Sequence, residues 1–337
     1  HPPARLRIVG EVAAGSASDT SFGAGECVRI MTGAPLPASA DTVVRVEDTD
    51  GGLDLVEVLV APAAPGAHIR RAGEDYPAGT VVAAAGTRLA PGVLGAVAAA
   101  GAVGVDVRPR PVVAVCATGY ELVSDCGSLG RGQLYDSNSH VLASALRRDG
   151  AEVVRGTPVP DSAEALATWL DAAAPGVDFV LLTGGASVGA YDVARDLLTE
   201  RAGGVFRHVR VQPGKPQGWG RWAGTPVIAL PGNPLSASLC YEVFVRPLLD
   251  RRLGSTPPAL LTAVAGAGWR CPPHRLQLLP VALGTSTDGR LLATPAHARG
   301  SASHLVSSLA AADGIALVPE DADAVAEGDL LTIQVLR

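Results

Sequence analysis

The sequence predicts a mixed α/β multidomain protein. A central α/β domain with a parallel-type sheet is flanked by β-rich N-terminal domains and by a small, barrel-like C-terminal β domain. Three observations carry this. Residues 111–257 alternate short apolar runs with amphipathic stretches, the pattern of a parallel sheet covered on both faces. Residues before 70 and after 258 consist of short β-branched runs between Gly and Pro breaks. The RPRP segment, Arg108 to Pro111, has the restricted backbone of a linker. Four parts are expected: 1–69, 70–110, 111–257 and 258–337.

In the first part, VVRVED and LDLVEVLV predict strands. The second part holds a loop (RRAGEDYPAGT), an expected hairpin and an Ala/Gly-rich segment. Leu89 to Val105 carries no charge over 17 residues but contains Pro91 and four glycines. That is short and weakly apolar for a membrane span, so a buried helix followed by a strand is expected.

In the third part, Val112–Ala117 reads as a buried strand ending in TGYE. Ser137 or Asn138 can cap a helix through Arg148, and Asp149-Gly150 ends it. Glu152–Arg155 is a strand, Asp161 or Ser162 caps a helix through Ala173, and Asp178–Leu182 is a strand leading into TGGASVG. A helix starts near Tyr191. Val227–Leu230 is a strand followed by PGNP and a helix over Ser236–Leu249. Ligands of such sheets sit beyond the carboxyl ends of the strands, where TGYE, VPDS, TGGASVG and PGNP all fall. LLTAVAG, LQLLPVAL, GIALVPE and DLLTIQVL predict the strands of the last part.

Composition narrows the function. The net charge of −6 argues against generic nucleic-acid binding, which needs a basic face. Five scattered cysteines form neither a disulfide framework nor a zinc motif, which fits a reducing cytoplasm. No signal-peptide pattern opens the sequence.

Lysine occurs once, at Lys215 in VQPGKPQGWG, against 26 arginines. Lys supplies a compact point charge where Arg supplies a planar fork. Either a cramped oxyanion site needs that point charge, or one lysine survives on a solvated loop. TGGASVG is either a tight turn or a cradle whose backbone N–H groups approach a phosphate. It is neither a Walker loop nor GxGxxG. It also contains G-x-S-x-G around Ser187, which in α/β-hydrolases presents a nucleophile, with His208, His297 and His304 as later histidines. Glu121, Asp136, Asp161 and Asp192 stand at predicted loop ends, where carboxylates can bridge Mg²⁺ to phosphate. Asp161 is equally an N-cap candidate.

The strings RIMTGAPLP, RRAGEDYPAG, ATGYEL, LYDSNS, TGGASVGAYD, QPGKPQGWG, ALPGNPLSA and GSASHLVSSLAAADGIALVP occur in one order. Together they resemble the molybdopterin molybdenumtransferase family, the MoeA proteins and the gephyrin E domain, from about Val28 to the C-terminus. The resemblance implies insertion of molybdate into adenylylated molybdopterin with Mg²⁺-assisted release of AMP, in a homodimer with its site in the dimer cleft. It implies that 111–257 binds the pterin nucleotide. Thr183, Gly184, Gly185, Ser187, Gly189, Gly232, Asn233 and Pro234 would cradle it, beside Asp136, Ser137, Asn138 and Pro216. Glu121 and Asp192 would hold the metal. Asp161, Asp75 and a partner-supplied Thr32 would complete the acidic cleft. Lys215 would neutralise developing charge, and Arg275, Ser301 and Ser303 would receive molybdate. Molybdopterin adenylyltransferase and molybdoenzyme apoproteins are the implied protein partners; a non-catalytic scaffold of the same fold is the alternative.

Two departures stand out. Relatives carry a Ser-Ala-Met-Asp-Gly-Tyr motif just before the point where this sequence starts. They also often have lysines at the positions of His208 and Gln212; Arg207 and Arg210 are the candidates to compensate.

Overall fold

The structure is a computed structural model and describes residues 3–16, 19–124, 127–185 and 192–336. Two compact units divide the chain, residues 1–82 and 83–337.

The first unit is built on a three-stranded sheet. β1 (Ala4–Val12) lies in the middle, parallel to β2 (Glu26–Ile30) and antiparallel to β3 (Leu55–Val58). VVRVED does not extend a strand. Val46–Asp48 forms a 3-10 turn, because Arg45 closes on Asp48 (2.9 Å) and the Thr49 hydroxyl donates to Val46 O (2.8 Å). These local bonds satisfy the backbone within the turn and outweigh its β-branched composition. The hairpin expected in 70–110 is absent; consecutive turns, such as Glu74 N to Arg71 O and Thr80 N to Pro77 O, take its place.

In the second unit, α1 (Pro91–Ala99) starts with proline in its first turn, where the missing N–H costs nothing. None of its residues is fully buried and no strand follows before residue 112, contrary to the expectation of a buried helix and strand. Small Ala and Gly side chains give such a helix little area to bury.

The α/β region follows. Its elements are β4 (Val112–Ala117), a two-residue ribbon of β5 (Leu122–Val123) with β6 (Leu134–Tyr135), α2 (Asn138–Arg148), β7 (Glu152–Arg155), α3 (Ala163–Ala173), β8 (Phe179–Thr183), α4 (Val193–Arg201), β9 (Val205–His208), β10 (Val211–Gln212), β11 (Pro216–Trp222) and β12 (Thr225–Leu230). Strand order is β7-β4-β8-β12-β11-β9; the first four are parallel, and beyond them β11 pairs antiparallel with β12 and β9 antiparallel with β11, additions the sequence did not announce. Successive β4 side chains serve opposite faces. Ala114 and Cys116 pack with Leu166 and Leu170 of α3 and Leu198 of α4. Val113 and Val115 pack with Leu142 and Leu146 of α2 and with Tyr241 and Leu249 beyond the sheet.

The helix expected over Ser236–Leu249 is a longer, interrupted run. α5 (Pro234–Cys240) passes through a π turn (Tyr241–Val245) into α6 (Arg246–Leu253). Pro247 lies in the first turn of α6; a proline has no N–H to continue the ladder, and the π turn accommodates it.

The last part is a closed barrel. β13 (Leu260–Ala265) is followed by β14 (Trp269–Arg270), β15 (Leu276–Thr285), β16 (Leu291–Pro295), the short α7 (Ser307–Ala310), β17 (Gly314–Val318), β18 (Ala324–Val325) and β19 (Leu330–Val335). The order β15-β16-β13-β19-β17 closes through β15–β17, and β14 pairs with β18 outside. β10 leaves the α/β sheet and joins the barrel edge parallel to β15, with Gln212 in register with Gln277. This crossover brings the QPGKP loop against the barrel. Among the described residues, no helix is long and apolar enough to cross a membrane.

Candidate functional site

A cavity of about 820 Å³ opens at the carboxyl ends of β4, β8 and β12 and extends to the barrel. Its sheet side is lined by Thr118, Glu121, Asp161, Thr183, Gly184, Gly185, Gly232, Asn233 and Pro234, with Asp136, Ser137 and Asn138 from the start of α2. Its barrel side is lined by Arg275, Ser301, Ser303 and His304, and the loop bearing Gln212, Lys215 and Pro216 runs between the two.

Buried side chains fix the sheet side. Asn138 Nδ2 donates to Thr183 Oγ1 (2.9 Å) and to Gly232 O (2.6 Å), and Thr183 Oγ1 donates to Pro231 O (3.0 Å). One amide and one hydroxyl thus tie α2, the end of β8 and the PGNP turn together. The Asn138 amide nitrogen and the Thr183 hydroxyl are spent on the protein, so they position the turns. Asn138 Oδ1 is buried without a partner. The turn after β8 requires glycine: Gly184 has φ +95°, and a Cβ there would lie 2.5 Å from Thr118 O.

The carboxylates divide into two kinds. Asp136 accepts from Ser139 N (3.0 Å) and from the Ser139 hydroxyl, so it caps α2, whereas Ser137 makes no capping bond. Ser162 caps α3 by accepting from Ala165 N (3.4 Å). Asp161 is therefore left to the cavity, where burial and then the Glu121 charge push its carboxyl upward. Asp192, at the N-terminus of α4, is 5% exposed. Burial raises its carboxyl to about 6, and Oδ1 has no hydrogen-bond partner. It sits behind Gly185, where a Cβ would come within 3.3 Å of Oδ1.

No group of three or more His, Cys, Asp or Glu side chains gathers at ligand spacing among the described residues. Mg²⁺ needs only one or two carboxylates when substrate phosphates complete its shell. The buried, unpartnered Asp192 Oδ1 calls for a cation or a proton and so fits that ion. Asp192 lies behind Gly185, however, and is not among the residues that line the cavity, whereas Glu121 is.

The cationic side centres on Lys215, exposed on its loop, and on half-buried Arg275. The loop is held from below: Gln217 Nε2 donates to Gly214 O (2.8 Å), Val209 N donates to Lys215 O (2.8 Å), and Gly214 rests on the buried Cys240. Arg275 Nη1 donates to Gln212 Oε1 (2.7 Å). Asn233 Nδ2 donates to Ser303 Oγ (3.1 Å), and Gln277 Nε2 donates to Ser301 Oγ (3.3 Å). Arg207 and Arg210 are the candidates to compensate for missing lysines. Neither lines the cavity; Arg210 pairs with Glu320 at 3.1 Å, and Arg207 donates to the carbonyl of Phe206.

The remaining candidates lie elsewhere. Ser187 and Gly189, and with them the G-x-S-x-G pattern, fall outside the described residues. Thr32 and Asp75 are exposed residues of the first unit. Sequence reasoning passed over Thr118 and His304 as lining residues and Gln212 as the partner of Arg275. Gln212 was visible only as a replaced lysine; its pairing depends on the β10–β15 register.

Three family models match consecutive parts of the chain: the MoeA N-terminal region (domain I and II) over residues 2–101, a probable molybdopterin binding domain over 114–251, and the MoeA C-terminal region (domain IV) over 262–336. The chain is 40% identical to molybdopterin molybdenumtransferase 2 of Mycobacterium tuberculosis, across 98% of this chain and 82% of that protein. It is 31% identical to the molybdopterin molybdenumtransferase of Bacillus subtilis, across 99% and 79%. The crystal structure of a molybdopterin biosynthesis MoeA protein from Pyrococcus horikoshii superposes with a TM-score of 0.75 at 31% identity, covering 99% of this chain and 82% of that one. By sequence, fold and the order of its parts, the chain belongs to the molybdopterin molybdenumtransferase (MoeA) family.

Proposed function

We propose that this chain inserts molybdate into adenylylated molybdopterin and releases AMP. The observation that carries this is one cavity with carboxylates at its sheet end, Arg275 at its barrel end and Lys215 between them. A pyrophosphate-linked substrate suits the first end and an oxyanion the second.

The glycine turn after β8 and the PGNP turn receive the pterin nucleotide with backbone donors at close approach. Glu121 and Asp192 would hold Mg²⁺, which supplies charge neutralisation on the pyrophosphate as AMP leaves. Asp161 adds to the acidic wall. Arg275, Ser301 and Ser303 orient the oxyanion, and Lys215 places a point charge between oxyanion and phosphate as charge develops. Thr32 and Asp75 complete the cleft in a homodimer, the chain works in the cytoplasm, and the four-part division at 69, 110 and 257 describes its subdomains. Molybdopterin adenylyltransferase supplies the substrate and molybdoenzyme apoproteins take the product.

Incubating the chain with adenylylated molybdopterin, molybdate and Mg²⁺ should yield molybdenum cofactor and stoichiometric AMP. Binding of the pterin nucleotide with no AMP release would refute the catalytic reading and favour the non-catalytic scaffold.

A further inference from the structure

The barrel is tied to the α/β part at the cavity and again well away from it. Beside the cavity, Leu235 N donates to Ser303 O (3.0 Å), Asn233 Nδ2 to Ser303 Oγ (3.1 Å) and Leu276 N to Arg210 O (2.9 Å). The second tie lies at the other end of α2, an 11-residue helix about 16 Å long that starts at the cavity with Asn138. Arg148, its last residue, donates from Nη1 to Leu336 O (2.8 Å), just past β19. Its Nη2 donates to Asp149 Oδ2 and to Glu242 Oε1 (both 2.7 Å), and its Nε to Asp149 Oδ1 (2.8 Å). Arg246 Nη1 donates to Glu242 Oε2 (2.9 Å), and the Tyr241 hydroxyl to Asp149 Oδ2 (2.8 Å). Two arginines thus balance two carboxylates whose side chains are 6% and 3% exposed, as buried charges require. Gln334 Nε2, from β19, adds a bond to Glu242 O (3.4 Å). Tyr241 and Glu242 open the π turn, and such turns are frequent at functional sites. None of these side chains lines the cavity.

We propose that Arg148 and Gln334 are positioning residues: by tying the end of β19 to α2 and to the π turn, they fix the barrel wall of the cavity against its sheet wall. A body held at one point pivots there; held at two separated points it does not. The bonds beside the cavity are single hydrogen bonds, each of modest net strength, and alone they leave a hinge. Leu235 and Leu239 of α5 pack on Leu278 and Ile315 of the barrel, but apolar contact is non-directional and permits sliding. The guanidinium fork supplies the missing direction, because it reaches Asp149, Glu242 and Leu336 O together only in one orientation. Arg275 and Ser303 belong to the barrel, and Glu121 and Gly232 to the sheet side, so a pivot changes the spacing between these groups. The effect of that spacing on turnover rests on the function proposed above; the joint itself does not.

The test is Arg148→Lys in the full chain, which keeps the charge beside Asp149 and Glu242 but replaces the fork by a point. Hydrogen exchange is read at Leu235 and Leu276, the amides bonded across to the other part beside the cavity. Both should exchange about tenfold faster or more, while Leu181 and Leu182 of β8 keep their protection. Calorimetric titration with AMP should give unchanged affinity, because the sheet wall is intact. AMP release per folded molecule should fall about tenfold or more, since a misplacement of about 1 Å can cost on the order of 10²-fold. Gln334→Leu cuts the other tie without touching the ion pairs and should show the same pattern more weakly. Unchanged exchange at Leu235 and Leu276 in both variants, or equal acceleration in β8, overturns the inference. So does weakened AMP binding, or wild-type AMP release from a variant whose bridging amides have loosened. If the unaltered chain releases no AMP, the catalytic reading fails alone and the exchange measurement still decides the joint. AMP release by the unaltered chain, with unchanged exchange in both variants, sinks this inference alone.

Discussion

Replacing Gly214 by alanine tests how the loop that carries Lys215 is held. Gly214 has φ +109°, and an added Cβ would lie 2.2 Å from Cys240 Sγ. Ordinary contact needs about 3.5–4 Å, so something must move by more than an ångström. Cys240 is fully buried against the sheet, and Gln217 Nε2 contacts both its sulfur (2.9 Å) and Gly214 O (2.8 Å), so the movement falls on the loop. Backbone strain contributes about 1–2 kcal/mol and overpacking about 1–3 kcal/mol, for a loss of about 2–5 kcal/mol. The adjacent Lys215 shifts with the loop, and a displacement of about 1 Å can cost on the order of 10²-fold in turnover. Cys240→Ala removes the obstructing sulfur, so in the double variant only the backbone strain and the lost thiol packing remain. Guanidinium unfolding of both single variants and the double should give a favourable coupling of about 1–3 kcal/mol. Effects that add within about 0.5 kcal/mol, or wild-type AMP release by Gly214→Ala, would refute the packing argument.

Other outcomes follow from the same geometry. Lys215→Arg keeps the charge but replaces a point with a fork, and should lower AMP release while leaving unfolding unchanged; wild-type turnover would end the point-charge account. Asp192 keeps its proton up to about pH 6, above its ordinary range. Its contribution to folding is therefore present at low pH and lost as pH rises through about 6. Asp192→Asn should raise the unfolding temperature at neutral pH, with the difference fading towards acid, and should abolish the dependence of AMP release on Mg²⁺; a variant less stable at neutral pH contradicts the burial argument. Asn138→Leu leaves Gly232 O and Thr183 without their donor and should cost about 1–3 kcal/mol in denaturant unfolding, with weaker pterin-nucleotide binding; unchanged binding would show that the turns hold their shape without it.

Much of the architecture was legible because it is periodic. The β4, β7, β8 and β12 runs are short, apolar and bounded by turn residues, and the amphipathic helices between them leave few alternatives to a parallel sheet. The positions of TGYE, TGG and PGNP at strand ends follow from that alternation, and so does a cavity beyond them. Where local hydrogen bonds compete with composition, the reading failed: Arg45 and Asp48 fold VVRVED into a turn, and Ala-rich α1 stays unburied. Whether Asp161 caps a helix or faces the cavity was open in the sequence, because Ser162 offers the same chemistry one residue later. Only the tertiary structure gave the cap to Ser162 and put Asp161 on the cavity wall. It also decided which cations count. Arg207, Arg210, Gln212 and Lys215 crowd one stretch of sequence, but the crossing of β10 to the barrel sends Gln212 and Lys215 to the cavity, with Arg275 arriving from the barrel. The lone lysine was visible from composition; its neighbours were set by strand pairing across more than sixty residues, information that no local pattern holds.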